Sequence, residues 1–430
     1  MYALPTTLGV FTLILVLARF KVPLTAAILI GAVLLGPIFG LSIGETAHAL
    51  IEGALQPSTL ALGGITVLLL ALSNTMQAGG QMERIVTLAR DLMRRPAVAM
   101  ATLPALIGLL PMPGGALFSA PMVRTAAGGT KLPGGLLSAV NYWFRHIWEY
   151  WWPLYPGVIL AMTLTEVELG TFVAYQMPLG ISMAVSGTLI FRGTHADLHR
   201  AGPRPAPGTK RNLMQATSSI WVILLVWAVA TALLRTIDTA ALSEGARSVI
   251  EKYGPIGTGL LASLAWTARL NRLGRVDLRR IVLKRSMYAL GFLVLSVMVF
   301  RYMLGVTGAA PRIAQELTAL RVPVELVVMF LPFIAGLVTG LAVGFVGTSF
   351  PIVLALVNAL PGAPWLQPYV VLAYAFGHLG QMMSPLHLCH VMSNRFFETG
   401  FTPVYRHILP PAGLTAILAM LYFLLLRGLG

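Results

Sequence analysis

From Thr59 to Ala78, and again from Leu409 to Leu426, the chain runs without one charged side chain. A helix rises 1.5 Å per residue, so either run is long enough to cross about 30 Å of hydrocarbon. Asp, Glu, Lys and Arg make up only 10% of the 430 residues and apolar residues 57%, where a soluble domain carries about a quarter charged residues. This balance excludes an ordinary cytosolic enzyme and a disordered chain. A single cysteine, Cys389, excludes a disulfide framework and a Cys-based zinc site. With 30 Lys+Arg against 15 Asp+Glu, the net charge of +15 would suggest nucleic acid in a soluble protein. In a membrane protein it marks cytoplasmic loops instead, and no nucleic-acid partner is expected.

Met1-Tyr-Ala-Leu-Pro5 has no basic n-region or cleavage site, so Leu4 to Ala18 reads as a first span rather than a signal peptide. Val22 to Gly44 and Thr59 to Ala78 follow. Pro96 to Pro111 and Ala116 to Ala126 are arms too short to cross. They are joined by Met112-Pro-Gly-Gly115, which cannot continue a helix, and predict a re-entrant hairpin over about 96–126. An interrupted stretch over about 132–164 and a span from Leu169 to Phe191 complete a first unit, 1–191. Residues 192–216 are basic and Pro/Gly-rich, a linker.

From 217 to 430 the order recurs. Three spans precede a hairpin over about 324–360, built around Gly344-Phe-Val-Gly-Thr-Ser349. An interrupted stretch over about 366–392 and a last span follow. Residue matches support a repeat. Gly114, Ser119 and Pro121 correspond to Gly344, Ser349 and Pro351. Phe144-Arg-His-Ile-Trp-Glu-Tyr-Trp-Trp-Pro153 aligns with Phe376-Gly-His-Leu-Gly-Gln-Met-Met-Ser-Pro385, pairing His146 with His378 and Glu149 with Gln381. Basic residues cluster in Arg19/Lys21, Arg84 to Arg95, the linker and Arg269 to Arg285. The positive-inside rule then puts the N-terminus outside and the linker in the cytoplasm. Five crossings and one hairpin per unit invert the second unit relative to the first, the pattern of secondary transporters in the inner membrane.

Pro111-Met-Pro-Gly-Gly-Ala116, Asn141-Tyr-Trp-Phe-Arg-His-Ile-Trp-Glu-Tyr-Trp-Trp-Pro-Leu-Tyr-Pro156 and Ser384-Pro-Leu-His-Leu-Cys389 resemble the prokaryotic membrane family catalogued as domain of unknown function 401. That family is similar in layout to the ion-transporter superfamily of gluconate, citrate, dicarboxylate and arsenite carriers. The resemblance implies transport through two hairpins by an elevator motion; it supplies no substrate. Relatives often carry Ser-Asn-Thr at the hairpin tips. Here Ser73-Asn-Thr75 falls in the third span, so that role is not carried over.

Glu149 is the one acid that no loop accommodates. An intramembrane carboxylate costs at least ~2.5–3.5 kcal/mol, so it is expected to have a partner or a function. It reads either as a proton carrier beside His146 or as a fixed ion pair with Arg145, one helical turn away. His387 and His390 flank Cys389, but their i,i+3 spacing stacks two ligands poorly and no second acid is near, so no metal is expected. His390 is placed toward a solvated cytoplasmic end. Arg124 is either an anion anchor beyond the first hairpin or an interfacial basic residue.

The sequence therefore predicts an all-α membrane protein of two inverted repeats, each of five transmembrane helices plus one re-entrant hairpin, with discontinuous helices at the midplane. It predicts a secondary active transporter of a small anion or organic acid, coupled to H⁺ or Na⁺, acting as a homodimer without a cofactor. Solute contacts are expected from Gly114, Gly115, Ser119, Asn141, Arg145, His146, Gly347, Thr348, Ser349, His378 and Ser384, and ion coupling from Glu149. The alternative is an intramembrane metal-dependent or lipid-modifying enzyme. A channel fits less well, because hairpins from both sides suit alternating access.

Overall fold

The structure, a computed structural model, describes residues 3–93, 95–109, 115–128, 131–194, 207–237, 242–319, 323–358, 360 and 364–429. Every element among them is helical. The first half contains α1 (Ala3–Arg19), α2 (Leu24–Ile38), α3 (Ile43–Leu55), α4 (Pro57–Ala78) and α5 (Gln81–Leu92). It continues with α6 (Pro96–Gly108), α7 (Ala116–Ala126), α8 (Gly134–Arg145), α9 (Pro156–Thr165) and α10 (Leu169–Gly187). A connecting helix, α11 (Thr209–Ala216), leads to α12 (Ser218–Leu234), α13 (Glu244–Leu270), α14 (Arg275–Val282), α15 (Arg285–Val306) and α16 (Ala309–Ala319). The last five are α17 (Val324–Thr339), α18 (Ala342–Asn358), α19 (Leu366–Met383), α20 (Leu388–Phe396) and α21 (Phe401–Leu429).

Among the described residues, four helical segments are long and apolar enough to cross a bilayer singly: α4, α10 with its 3₁₀ extension to Phe191, Met287–Val306 within α15, and α21. The chain is a multi-pass membrane protein. The packing between helices before and after α11 is reciprocal. α2 packs on α15 as α13 packs on α4, and α9 packs on α18 as α20 packs on α7.

Two bodies result. One gathers α2, α3, α4, α12, α13 and α15; the other gathers α6 to α10 and α17 to α21. Helices α1 and α16 touch both. Hydrogen bonds from α5 to α11, α12 and the end of α13 tie these helices together. Gln81 donates to the Ala216 carbonyl (2.6 Å) and to Ser219 Oγ (3.0 Å), and Asn271 donates to Gln81 Oε1 (3.0 Å).

Three expectations need correction. Val22 to Gly44 is not one span. Gly40 turns at φ +94°, and a capping box between Ser42 and Glu45 starts α3 as a separate amphipathic helix. The bonds from Ser42 hold the exposed Glu45 carboxyl below its usual range. The charged segments read as loops around Arg84 and Asp277 form α5 and α14, and 309–319 forms α16. The second hairpin turns at Gly340 (φ +63°), earlier than expected, because its left-handed conformation suits glycine. Gly344 to Ser349 is continuous helix within α18.

Candidate functional site

The two interrupted stretches break where the sequence leaves the helical pattern. α8 ends at Arg145 with His146 as its cap, and the segment from Ile147 to Tyr155 runs as turns until Pro156 opens α9. α19 ends at Met383, capped by Ser384 in an extended conformation, and α20 begins after His387.

Across this break the residues that the sequence alignment paired meet. Gln381 Nε2 donates to Glu149 Oε2 at 2.7 Å. His146 Nε2 lies 3.8 Å from Glu149 Oε1, and His378 Nε2 lies 3.7 Å from Glu149 Oε2. Tyr374 donates to the Glu149 carbonyl at 2.8 Å. All five residues are buried. The carboxylate thus sits between two imidazoles, one from each half of the chain, and Gln381 bonds to it directly. Such a cluster can pass a proton between the carboxylate and either imidazole, each within 4 Å of it, while Gln381 fixes the carboxylate's orientation.

Neighbouring side chains orient the imidazoles. His146 Nδ1 lies 2.6 Å from the Tyr142 carbonyl. His387, which the sequence did not connect to Glu149, has Nδ1 at 3.1 Å from Tyr142 Oη and 3.3 Å from the Gln381 carbonyl. Tyr142 is the residue that sequence reasoning missed; its hydroxyl also donates to the Met382 carbonyl at 3.1 Å. Its position one turn before His146 was the available signal. His390 is buried rather than solvated, with its ring stacked on Tyr142 at 4.5 Å.

The remaining expected contacts divide. Gly115 begins α7, and a Cβ there would run into the Arg145 guanidinium, so glycine lets that charge approach the helix start. Asn141 donates to the Ala116 carbonyl (3.1 Å) and to Ser393 Oγ (2.8 Å), while its buried Oδ1 accepts no hydrogen bond from the described residues. Ser119 is buried on α7 and bonds only weakly, at 3.4 Å, to the Ala116 carbonyl. Gly114 lies outside the described residues.

Gly347, Thr348 and Ser349 do not form an unwound tip. Thr348 and Ser349 donate back to the carbonyls of Gly344 (2.7 Å) and Phe345 (2.6 Å), which uses their donors within the helix. A Cβ at Gly347 would strike Val297 of α15, so this glycine serves close packing. Ser384 accepts from Leu386 N–H at 3.2 Å as part of the break. Arg124 donates to the Phe396 carbonyl and lies over its ring, an exposed tie between α7 and the end of α20.

A ring nitrogen of His146, a ring nitrogen of His387 and Cys389 Sγ lie within 4.8 Å of one another and could hold a soft cation. Zinc ligands in a tetrahedron stand about 3.5 Å apart, so these donors would have to close in to reach one ion.

Comparison with known proteins gives three findings. The family described as "Protein of unknown function (DUF401)" matches residues 3–244 and 248–426. No curated protein matches the sequence significantly. Among solved structures, the Alcanivorax borkumensis YdaH transporter is similar at 14% identity and TM-score 0.44, covering 99% of this chain and 98% of that one. Neisseria gonorrhoeae MtrF, of a class described as antimetabolite efflux pumps, is similar at 12% identity and TM-score 0.46, over 88% of this chain and 82% of that one.

Proposed function

We propose that this chain, which belongs to the family described as "Protein of unknown function (DUF401)", is a secondary active transporter of a small anion or organic acid, driven by one proton carried on Glu149. The observation that carries this reading is the buried meeting of Glu149 with Gln381, His146 and His378. A buried carboxylate is costly in hydrocarbon, and one flanked by imidazoles can be neutralised by a proton in transit. Because Gln381 occupies the equivalent place in the other repeat, one repeat titrates and the other only hydrogen-bonds. Na⁺ is the alternative coupling ion.

The reciprocal packing of the halves supports two repeats related by inversion. Division into two bodies supports an elevator, in which the body holding the broken helices slides against the other. Arg145 supplies the positive charge that an anion requires. Gly115 leaves room beside it, and Asn141 adds a polar contact. The charge bias supports an inner-membrane protein with the N-terminus outside and the linker cytoplasmic, and a homodimer is the proposed assembly.

The test is a thermal-shift screen of mono- and dicarboxylates against purified protein. A ligand at 100 times its Kd adds about 2.7 kcal/mol of apparent stability. At least one anion is expected to raise Tm, and less so for Arg145→Gln. A panel that leaves Tm unchanged would count against an anionic solute.

The His146, His387 and Cys389 cluster favours one other reading, a metal-dependent intramembrane enzyme. It requires stoichiometric metal in the purified protein, lost in His387→Ala. Elemental analysis is expected to find no such metal, because the adjacent charge of Arg145 opposes a cation.

A further inference from the structure

The two bodies meet largely through apolar side chains, as where Gly347 of α18 faces Val297 of α15. Their polar contacts among the described residues gather at one spot, the C-terminal end of α9. Three residues of the other body reach the last turn of this helix. Tyr253 of α13 donates to Thr163 Oγ1 at 3.0 Å, in a buried bond. Lys252 and Arg301 point their cations at the Thr163 carbonyl, at 3.4 and 3.5 Å. Arg301 Nη2 also donates to Glu166 Oε1 at 2.7 Å, and Glu166 caps α9 in the left-handed conformation, at φ +60°.

The chemistry of this end explains the grip. The last carbonyls of a helix have no intrahelical partner and carry its negative dipole end, so cations bind them well. Here the cations come from α13 and α15, not from the chain that follows α9. The bonds therefore join the bodies and do not merely finish a helix. Moving either body by one helical turn, about 5.4 Å, would break all four contacts at once. Among the described residues, the apolar remainder of the interface has no such directional bonds to lose.

We infer that Thr163 and Glu166, held by Lys252, Tyr253 and Arg301, form a latch that keeps the two bodies in the arrangement seen here and must open for the solute-carrying body to move. This rests on the two-body transport reading above. The latch sets how the two end states are populated, and it does so without touching the solute.

Double electron–electron resonance tests it without a known substrate. Spin labels go on Glu168→Cys and Ser248→Cys, exposed positions at the same end, one in each body, in a Cys389→Ala background in proteoliposomes. Unaltered latch residues should give one dominant distance. Arg301→Gln should raise the population of a second distance at least about tenfold, since it removes the ion pair with Glu166 as well as the cation at the Thr163 carbonyl, and one charged hydrogen bond alone is worth about that much. Tyr253→Phe, a milder change that preserves folding, should raise it less. Arg301→Glu should open the latch, and Arg301→Glu with Glu166→Arg should close it again. Two distances in the same ratio in all variants would overturn the latch and leave the moving-body reading standing. One fixed distance in every variant would overturn the latch and count against the moving body as well.

Discussion

Glu149→Gln is expected to abolish accumulation driven by a pH gradient in proteoliposomes while leaving solute exchange in place. A proton-coupled carrier of a monoanion can sustain roughly tenfold accumulation per pH unit, since 1.4 kcal/mol is a factor of ten. In the variant the ratio should fall to about one. The substitution keeps size and hydrogen bonding, and Gln381 already shows that an amide is tolerated at the equivalent place. It makes the two repeats alike where they now differ. Counterflow of labelled solute should persist, because exchange needs binding and movement but no net proton. Undiminished pH-driven accumulation would make Glu149 a structural partner of Gln381 and the histidines, with the coupling elsewhere.

Gly380→Ala and Gly336→Ala should be among the most damaging small substitutions for the fold. α17 and α19 lie in close contact through these residues. A Cβ at Gly380 would collide with the Phe333 carbonyl oxygen, and one at Gly336 with the Gly377 carbonyl. Backbone cannot swing aside as a side chain can, so the helices must separate. The expected cost is about 3 kcal/mol, the upper end for overpacking, read as a lower Tm and loss of monodisperse protein on size exclusion. Gly413→Ala, where nothing lies within 4 Å of an added Cβ, should melt like the wild type. The effect reaches function because α19 carries His378 and Gln381. Separation of about 1 Å would break the 2.7 Å bond from Gln381 to Glu149.

The first broken stretch was legible in the sequence because the charged and polar run Arg145-His-Ile-Trp-Glu149 interrupts an apolar segment. The pairing of His146 with His378 and of Glu149 with Gln381 was legible as a repeat. That the four would touch was not, since sequence alignment relates equivalent positions and says nothing of distance between them. Gly344 to Ser349 misled for a physical reason. Glycine can mark an unwound tip or a close helix contact, and Thr or Ser can face a solute or bond back to its own helix. Only packing against Val297 separates these cases. The short helices α3, α5 and α14 escaped because a reading by hydropathy passes over amphipathic segments rich in charge. Tyr142 escaped because its partner His387 is 245 residues away.

The central claim is that solute and proton move together through the Glu149 cluster. Its most direct test loads proteoliposomes with a pH-sensitive dye and adds outside the anion identified by thermal shift. Wild-type protein should acidify the lumen only when that anion is present, and Glu149→Gln should not acidify it at all. Anion uptake with no change in lumenal pH, or equal acidification by both proteins, would contradict it.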